Sequence, residues 1–457
     1  MFHRGVPLIK LLIVIISIVT SLTAVSQTGN TKGIKLIVDT EVEEFISNIS
    51  TPLLTAAGNR ANSIKIHLIQ DPRLNAFMTQ GNRIFIHSGL ILEAKTPDEI
   101  SGVIAHEIGH NIGRHLARRK EAIDSANKLA ILSGLLAATS AYAAKKSMDH
   151  TEKNVSTAII ASAQSLKIHS VLKYSHSQEF SADIFAVRIL DFTKQTSKGL
   201  LTVLKKIKSK ENISISNHDV YLSTHPVTQE RIEILKNLVE KSPYYKFTYP
   251  EQTNKNLNRI KAKILAFTEP KKALQFYKKE NSNFITQYAR AISFHKLGDT
   301  QKSFKLLKYL INKYPKDPYL HELHGQFLFE NGKLNDSIAS YKKAIQLNQK
   351  KHFLLYNLAK VQISTNRKET YNEAINNLKK ALSFKPELPG AWKQLSIAYG
   401  RLENYGQSAL SSAELYLLLG NKKEALLHAV KATKLINIGE PARIRANDIV
   451  DHIRKIN

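Results

Sequence analysis

The alternation of apolar and polar positions divides the chain into three textures. The first is short: Leu11 to Val19 is almost wholly apolar. The second mixes periods. Val42, Ile46 and Ile49 recur at spacings of four and three, which predicts a helix from about Thr31 to Ile49. Ile64 to Ile69 alternates and predicts a strand. Ala76–Thr79 and Arg83–His87 flank Gln80-Gly81-Asn82, the signature of a hairpin with a glycine-containing turn. A helix then starts at Thr96-Pro97-Asp98-Glu99. Thr96 suits the N-cap, Pro97 the first helical position, and Glu99 would complete a capping box, so the pattern predicts helix through His115. Leu129 to Ala144 is a second apolar stretch between Lys128 and Lys145. It falls short of the ~20 residues of a spanning helix, and reads as a buried helix or as a hydrophobic lid or membrane-dipping helix.

From about residue 250 the third texture consists of paired helices. Gly298 and Gly332 are 34 residues apart, and Ala291 and Gly325 precede them by the same offset. Ala359, Ala374, Ala381 and Pro386 continue the pattern after a three-residue insertion near Thr365 to Thr370, Trp392, Leu395 and Tyr399 open another unit, and Ala413, Tyr416, Gly420, Ala425 and Ala432 close the array. A 34-residue period with small residues where two helices cross resembles the tetratricopeptide repeat.

Composition changes the picture at the N-terminus and in the choice of chemistry. Arg4 and Lys10 precede the first apolar run, and Ala24 and Ser26 lie two apart after it, so residues 1–26 read as a cleaved secretory signal. The 457 residues contain no cysteine. That excludes disulfides, thiolate metal sites and a cysteine nucleophile, and leaves His, Asp and Glu to hold any metal. The net charge is +28, of which +19 falls in residues 251–457. So basic a chain suits an anionic partner or simply carries solvated lysine-rich helix faces. No recognised nucleic-acid motif supports a nucleic-acid partner, and the secretion signal argues against one.

The chemistry lies on the capped helix. His106-Glu107-Ile108-Gly109-His110 places two imidazoles four residues apart, on one helix face, where both reach one Zn²⁺ ion, with Glu107 beside them to activate water. A catalytic zinc needs a third protein ligand. His115 is one residue short of the position in HExxHxxGxxH, where Leu116 stands, so that subclass is rejected. Glu179 is the better third ligand: Glu179 and Asp183 share a helix face, and Asp183 can hold the second nitrogen of a ligand histidine. His225-Pro226, followed by Arg231, is a third feature; alone it is a loop histidine before a helix.

Together, HEIGHNIGRH at 106–115, QEFSAD at 178–183, THPVTQERI at 224–232, LNAF at 74–77 and SGLI at 88–91 resemble the M48 family of zinc metallopeptidases. His176 departs from the arginine often found there in the family. The resemblance implies an α+β, mainly α fold. A gluzincin-type metalloprotease domain with a small β-sheet would occupy residues 27–250, after the signal at 1–26, and an α-helical repeat solenoid residues 251–457. It implies metal ligands His106, His110 and Glu179, with Glu107 as the catalytic base. Asp183 and Arg231 would support them, and Arg231 would pair with a nearby acid such as Asp183. His225 would either stabilise the oxyanion or occupy the fourth zinc position and hold the enzyme latent. The strand Asn75-Ala76-Phe77 would pair with substrate by strand addition. The arrangement of signal, protease domain and repeats is similar to the periplasmic branch of the family. It implies an endopeptidase acting in quality control and assembly of outer-membrane proteins, with repeats that dock the assembly machinery or hold unfolded or misassembled clients. Peripheral membrane contact would run through 129–144. The alternative is a repeat-based chaperone or adaptor with a latent protease site.

Overall fold

A computed structural model of the protein describes residues 35–58, 63–79, 81–115, 176–211, 225–280, 283–348 and 351–456. The signal segment 1–26, the apolar stretch 129–144 and Thr224 lie outside these residues. The fold is α+β and mainly helical. Four strands, β1 (Leu36–Ile37), β2 (Lys65–Ile69), β3 (Ala76–Thr79) and β4 (Arg83–His87), form one sheet in the order β1-β2-β4-β3. β2 and β4 run parallel, while β3 returns antiparallel along β4 with Ala76 opposite Ile86 and Phe77 opposite Phe85. Gly81 at φ +83° and Asn82 at φ +56° make the reversal between β3 and β4, as the glycine-containing turn predicts. β3 is an edge strand of this sheet.

The first helix, α1 (Thr40–Ala56), begins nine residues later than the apolar spacing suggests. Asp39 fixes its start, because its carboxylate accepts the Val42 N–H at 3.0 Å, and Leu36–Ile37 before it is a strand. After β4 come α2 (Ser88–Glu93) and α3 (Pro97–Ile112). Thr96 and Pro97 open α3 as expected, but the Thr96 hydroxyl makes no capping bond. The expected capping box is replaced: Glu99 is buried, accepts the Lys95 N–H at 3.3 Å and pairs with Lys206. A buried carboxylate needs a counterion more than a helix end needs a cap. α3 stops at Ile112, earlier than predicted. Gly113 and Arg114 turn the chain, Arg114 at φ +52°, so His115 leaves the line of the helix.

The helical residues 176–192 (α4) and α5 (Lys198–Glu211) pack against α3, and α6 (Gln229–Glu240) against α5. Two glycines of α3 allow these approaches. A Cβ on Gly102 would lie 2.6 Å from the Leu200 nitrogen, and one on Gly109 2.7 Å from the Ala182 carbonyl oxygen. The core around them includes Leu53, Ile84, Ile86, Ile100, Ile104, Ile108 and Leu190.

α7 (Glu251–Thr268) starts the helical array and belongs to two cores. Its Leu257, Ile260 and Ile264 join the core of the sheet and α3, while Ala262 and Ala266 pack with α9 (Phe284–Lys296). After α8 (Pro270–Phe276), the pairs run α9 with α10 (Thr300–Lys313), α11 (Pro318–Glu330) with α12 (Leu334–Leu347), and α13 (His352–Ser364) with α14 (Lys368–Phe384). α15 (Pro389–Arg401), α16 (Tyr405–Leu418), α17 (Lys422–Leu435) and α18 (Pro441–Ile456) complete the array. The 34-residue period is visible in the turns. Gly298 at φ +86° and Gly332 at φ +74° sit between paired helices, and Asn366 takes the next equivalent place at φ +56°. The three inserted residues lengthen a helix: α14 has 17 residues where α10 and α12 have 14.

The array grips the start of α1. Lys263 pairs with Asp39 at 2.6 Å and Glu41 at 3.1 Å, Arg259 joins Glu41 to Asp317, and Tyr288 donates to Glu41 at 2.8 Å. Thr40 donates to Glu322 at 2.6 Å, and His352 and Lys385 both hold Glu43. No helix among the described residues is long and apolar enough to cross a membrane.

Candidate metal centre

Three separate elements deliver the site. α3 carries His106, Glu107 and His110; α4 carries Glu179 and Asp183; the segment entering α6 carries His225. Helical spacing explains each pair. His106 and His110 lie one turn apart and their Nε2 atoms are 3.0 Å apart. Glu179 and Asp183, also one turn apart, face α3 where Gly109 lets the helices approach. His106 is enclosed on all sides, Glu107, Glu179 and Asp183 nearly so, and His225 is 5% exposed.

Four ligand atoms converge. The Glu179 carboxylate lies 3.3 Å from His106 Nε2, 3.2 Å from His110 Nε2 and 3.1 Å from His225 Nδ1, and His225 Nδ1 is 3.5 Å from His106 Nε2. All four atoms fall within 4.8 Å of one another. For bonds of about 2.0–2.1 Å in a tetrahedron, the ligand atoms should stand about 3.3 Å apart. With Glu179 taken through either carboxylate oxygen, the separations above, 3.0–3.5 Å, are close to that edge, and no two of the four ligand atoms stand more than 4.8 Å apart. Three imidazole nitrogens facing one carboxylate are also the donor set that suits zinc or a similar divalent ion. The residues therefore fit a metal.

The surroundings fix ring orientation. His106 Nδ1 meets Asp183 Oδ1 at 2.9 Å, which leaves Nε2 directed at the cluster. Arg231 holds Asp183 with two bonds, Nε to Oδ2 at 2.6 Å and Nη2 to Oδ1 at 2.9 Å. Its Nη1 reaches Glu179 at 2.8 Å and the Pro226 carbonyl at 3.0 Å, so one guanidinium ties α6 to both acids and to the His225-Pro226 segment. Thr228 caps α6 by accepting the Arg231 N–H at 3.1 Å. On the far side of His110, His115 Nδ1 lies 3.1 Å from His110 Nδ1, and its carbonyl accepts the Gln178 side chain at 3.4 Å.

Glu107 lies beside the four-atom cluster. Its Oε1 is 3.4 Å from His225 Nε2, and it faces the backbone of Met78 in β3. Burial raises its pKa above the usual carboxylate range, despite His225 and His106 nearby. In the metal-free protein, burial lowers His110 to about 3, so its ring is neutral, as a ligand must be. Burial also opposes charge on His106, but Asp183 and Glu179 raise it to about 9. Burial works against ionised Glu179 too, and is overcome by His225, His110 and Arg231, which hold its carboxyl well below the usual range.

The strand residues occupy the opposite wall. Ala76 and Phe77 lie in the edge strand β3, which packs on α3; Phe77 stacks on Phe85 at 5.5 Å and meets His87 edge-on at 5.8 Å. Asn75 just precedes the strand. Its carbonyl accepts the His87 N–H at 3.0 Å and its side chain is fully buried. Sequence reasoning set His115 aside as a ligand and gave it no other role. The signal that could have found its contact is the HExxHxxxxH spacing, which places a third histidine one loop turn beyond the second.

Residues 36–239 match peptidase family M48, and residues 325–365 match a TPR repeat. The chain is 23% identical over 433 residues to the beta-barrel assembly-enhancing protease of Escherichia coli strain K12, covering 92% of this chain and 85% of that protein. It is 21% identical over 437 residues to the protein of the same name from Yersinia pestis, with the same coverage. It is also 22% identical over 213 residues to the mitochondrial metalloendopeptidase OMA1 of Schizosaccharomyces pombe, covering 45% of this chain and 58% of that protein.

Proposed function

We propose that the chain, whose residues 36–239 match peptidase family M48, is a zinc-dependent endopeptidase of the bacterial periplasm that acts in quality control and assembly of outer-membrane proteins. Residues 1–26 are its export signal, 27–250 its peptidase domain and 251–457 its repeat domain. The observation that carries the reading is the convergence of His106, His110 and Glu179 beside a buried Glu107. The likeness to beta-barrel assembly-enhancing proteases over 92% of the chain supports the substrate class.

His106 and His110 would hold zinc through their imidazoles and Glu179 through its carboxylate. When bound, zinc polarises the attacking water and the scissile carbonyl. Glu107 takes the proton of that water and passes it to the leaving amine, a role suited to a carboxyl whose proton affinity burial has raised. Asp183 keeps His106 in the tautomer with Nε2 free, and Arg231 orients Asp183 and Glu179 together. The edge strand β3 at Ala76 and Phe77 takes the substrate backbone as an added strand, and Asn75 anchors the start of that strand. The repeats dock the outer-membrane assembly machinery or hold unfolded or misassembled clients. The face that grips Asp39 to Glu43 is occupied within the chain, so docking uses the remaining surface. Segment 129–144 supplies peripheral membrane contact.

A second reading is favoured by His225. Its Nδ1 stands at the fourth corner of the cluster, 3.1 Å from Glu179. A zinc ion held by His225 as well would have no open position, so this arrangement would be a latent state in which the repeats carry a chaperone or adaptor role. The test is Glu107→Gln, with casein cleavage and zinc content measured together. The proposal expects cleavage to fall by about 10²–10⁴-fold while zinc is retained. Undiminished cleavage would rule out the mechanism, and in vivo complementation by the inactive variant would favour the adaptor reading.

A further inference from the structure

The geometry points to His115 as a positioning residue for the metal ligand His110. This rests on the reading that His110 offers Nε2 to the metal. The Nδ1 atoms of the two histidines are 3.1 Å apart, their rings meet edge to face at 5.1 Å and 83°, and His115 is 3% exposed. Two ring nitrogens at that distance share one hydrogen, so one must donate and the other accept. A nitrogen that ligates a metal carries no proton. The His110 proton therefore sits on Nδ1 and is donated to His115 Nδ1, and the His115 proton sits on Nε2.

The chain builds this contact. α3 stops at Ile112, and Arg114 at φ +52° turns the backbone so that residue 115 comes back beside residue 110. The His115 carbonyl is held by Gln178, the residue before Glu179, which ties the contact to the helix bearing the third ligand. The ring lies against Gly113: a Cβ there would come 2.2 Å from His115 Nε2, so only glycine leaves room for it. The two ligand histidines thus have different supports. His106 Nδ1 faces the carboxylate of Asp183 at 2.9 Å, and His110 Nδ1 faces an imidazole nitrogen. Loss of such a support typically weakens metal binding by roughly 10–100-fold.

The test compares zinc affinity, by competition with a chromophoric chelator, for the full-length protein and for His115→Leu and His115→Asn. The Asn side-chain oxygen can accept where His Nδ1 does; Leu fills the space without accepting. The inference expects His115→Leu to bind zinc about 10–100-fold more weakly and His115→Asn to stay near wild type. Equal affinity for Leu and wild type, or an equal loss in Asn and Leu, overturns it. A second measurement needs no substitution: nitrogen-15 spectra of the histidine-labelled, zinc-loaded protein. A scalar coupling between the two Nδ1 atoms supports the shared hydrogen, and a protonated His115 Nδ1 overturns it. Wild type that binds no zinc overturns the metal centre itself, a result distinct from a silent His115→Leu.

Discussion

Asp183 shows how one side chain sets the chemistry of another. It takes the His106 Nδ1 contact at 2.9 Å and is itself clamped by Arg231. Asp183→Asn keeps the size but loses the ion pair with Arg231 and part of the preference for one His106 tautomer. Zinc affinity by chelator competition should fall by about 10–100-fold, with the melting curve of the metal-free protein showing that the fold persists; unchanged affinity would show that Asp183 does not orient His106. Much of this site is legible in sequence, because its paired residues lie one helical turn apart: His106 with His110, Glu179 with Asp183. What is not legible is the meeting of the pairs. His225 lies 46 residues from Glu179 and 119 from His106, and no local pattern encodes those contacts. His115 escapes for a different reason: its contact depends on a left-handed Arg114 that periodicity does not foresee.

At the scale of elements, the site depends on how closely α3 and α4 approach. Gly109 sets that distance, since a Cβ there would lie 2.7 Å from the Ala182 carbonyl and 3.1 Å from its Cα. Gly109→Ala should push α4 outward, carrying Glu179 and Asp183 with it. The expected cost is about 1–3 kcal/mol of stability, read by thermal melting, together with weaker zinc binding than wild type. Unaltered melting and affinity would mean that the helices have slack at this crossing. The elements themselves follow local rules where they were readable: the β3–β4 turn from its glycine, α3 from Thr96-Pro97, the repeats from their 34-residue spacing. The misreadings have tertiary causes. Asp39 sets the start of α1, and Glu99 pairs with Lys206 instead of closing a capping box. Strand β1 has only two residues, too few for any periodicity, and the parallel pairing of β2 with β4 is a long-range choice.

Across the whole molecule, the peptidase domain and the array are joined through α7 and through buried charges that no sequence pattern reveals, since Glu41 and Lys263 are 222 residues apart. Glu322 is a buried titratable member of this cluster. Burial raises its pKa to about 8, with Asp39 adding to the effect and Lys263 and Thr40 opposing it. The folded protein thus favours the protonated carboxyl. That stability is fully present below about pH 4.5 and is lost as pH rises through about 8. The melting temperature should fall across this window and fall less in Glu322→Gln, by the equivalent of a few kcal/mol at most; parallel pH profiles would show that Glu322 titrates normally. The central claim remains the metal centre, and zinc content per chain tests it most directly. The account predicts about one zinc per chain in the purified full-length protein and a loss of nearly all of it in His106→Ala and in Glu179→Ala. A wild type without zinc, or variants that retain it in full, would contradict the account.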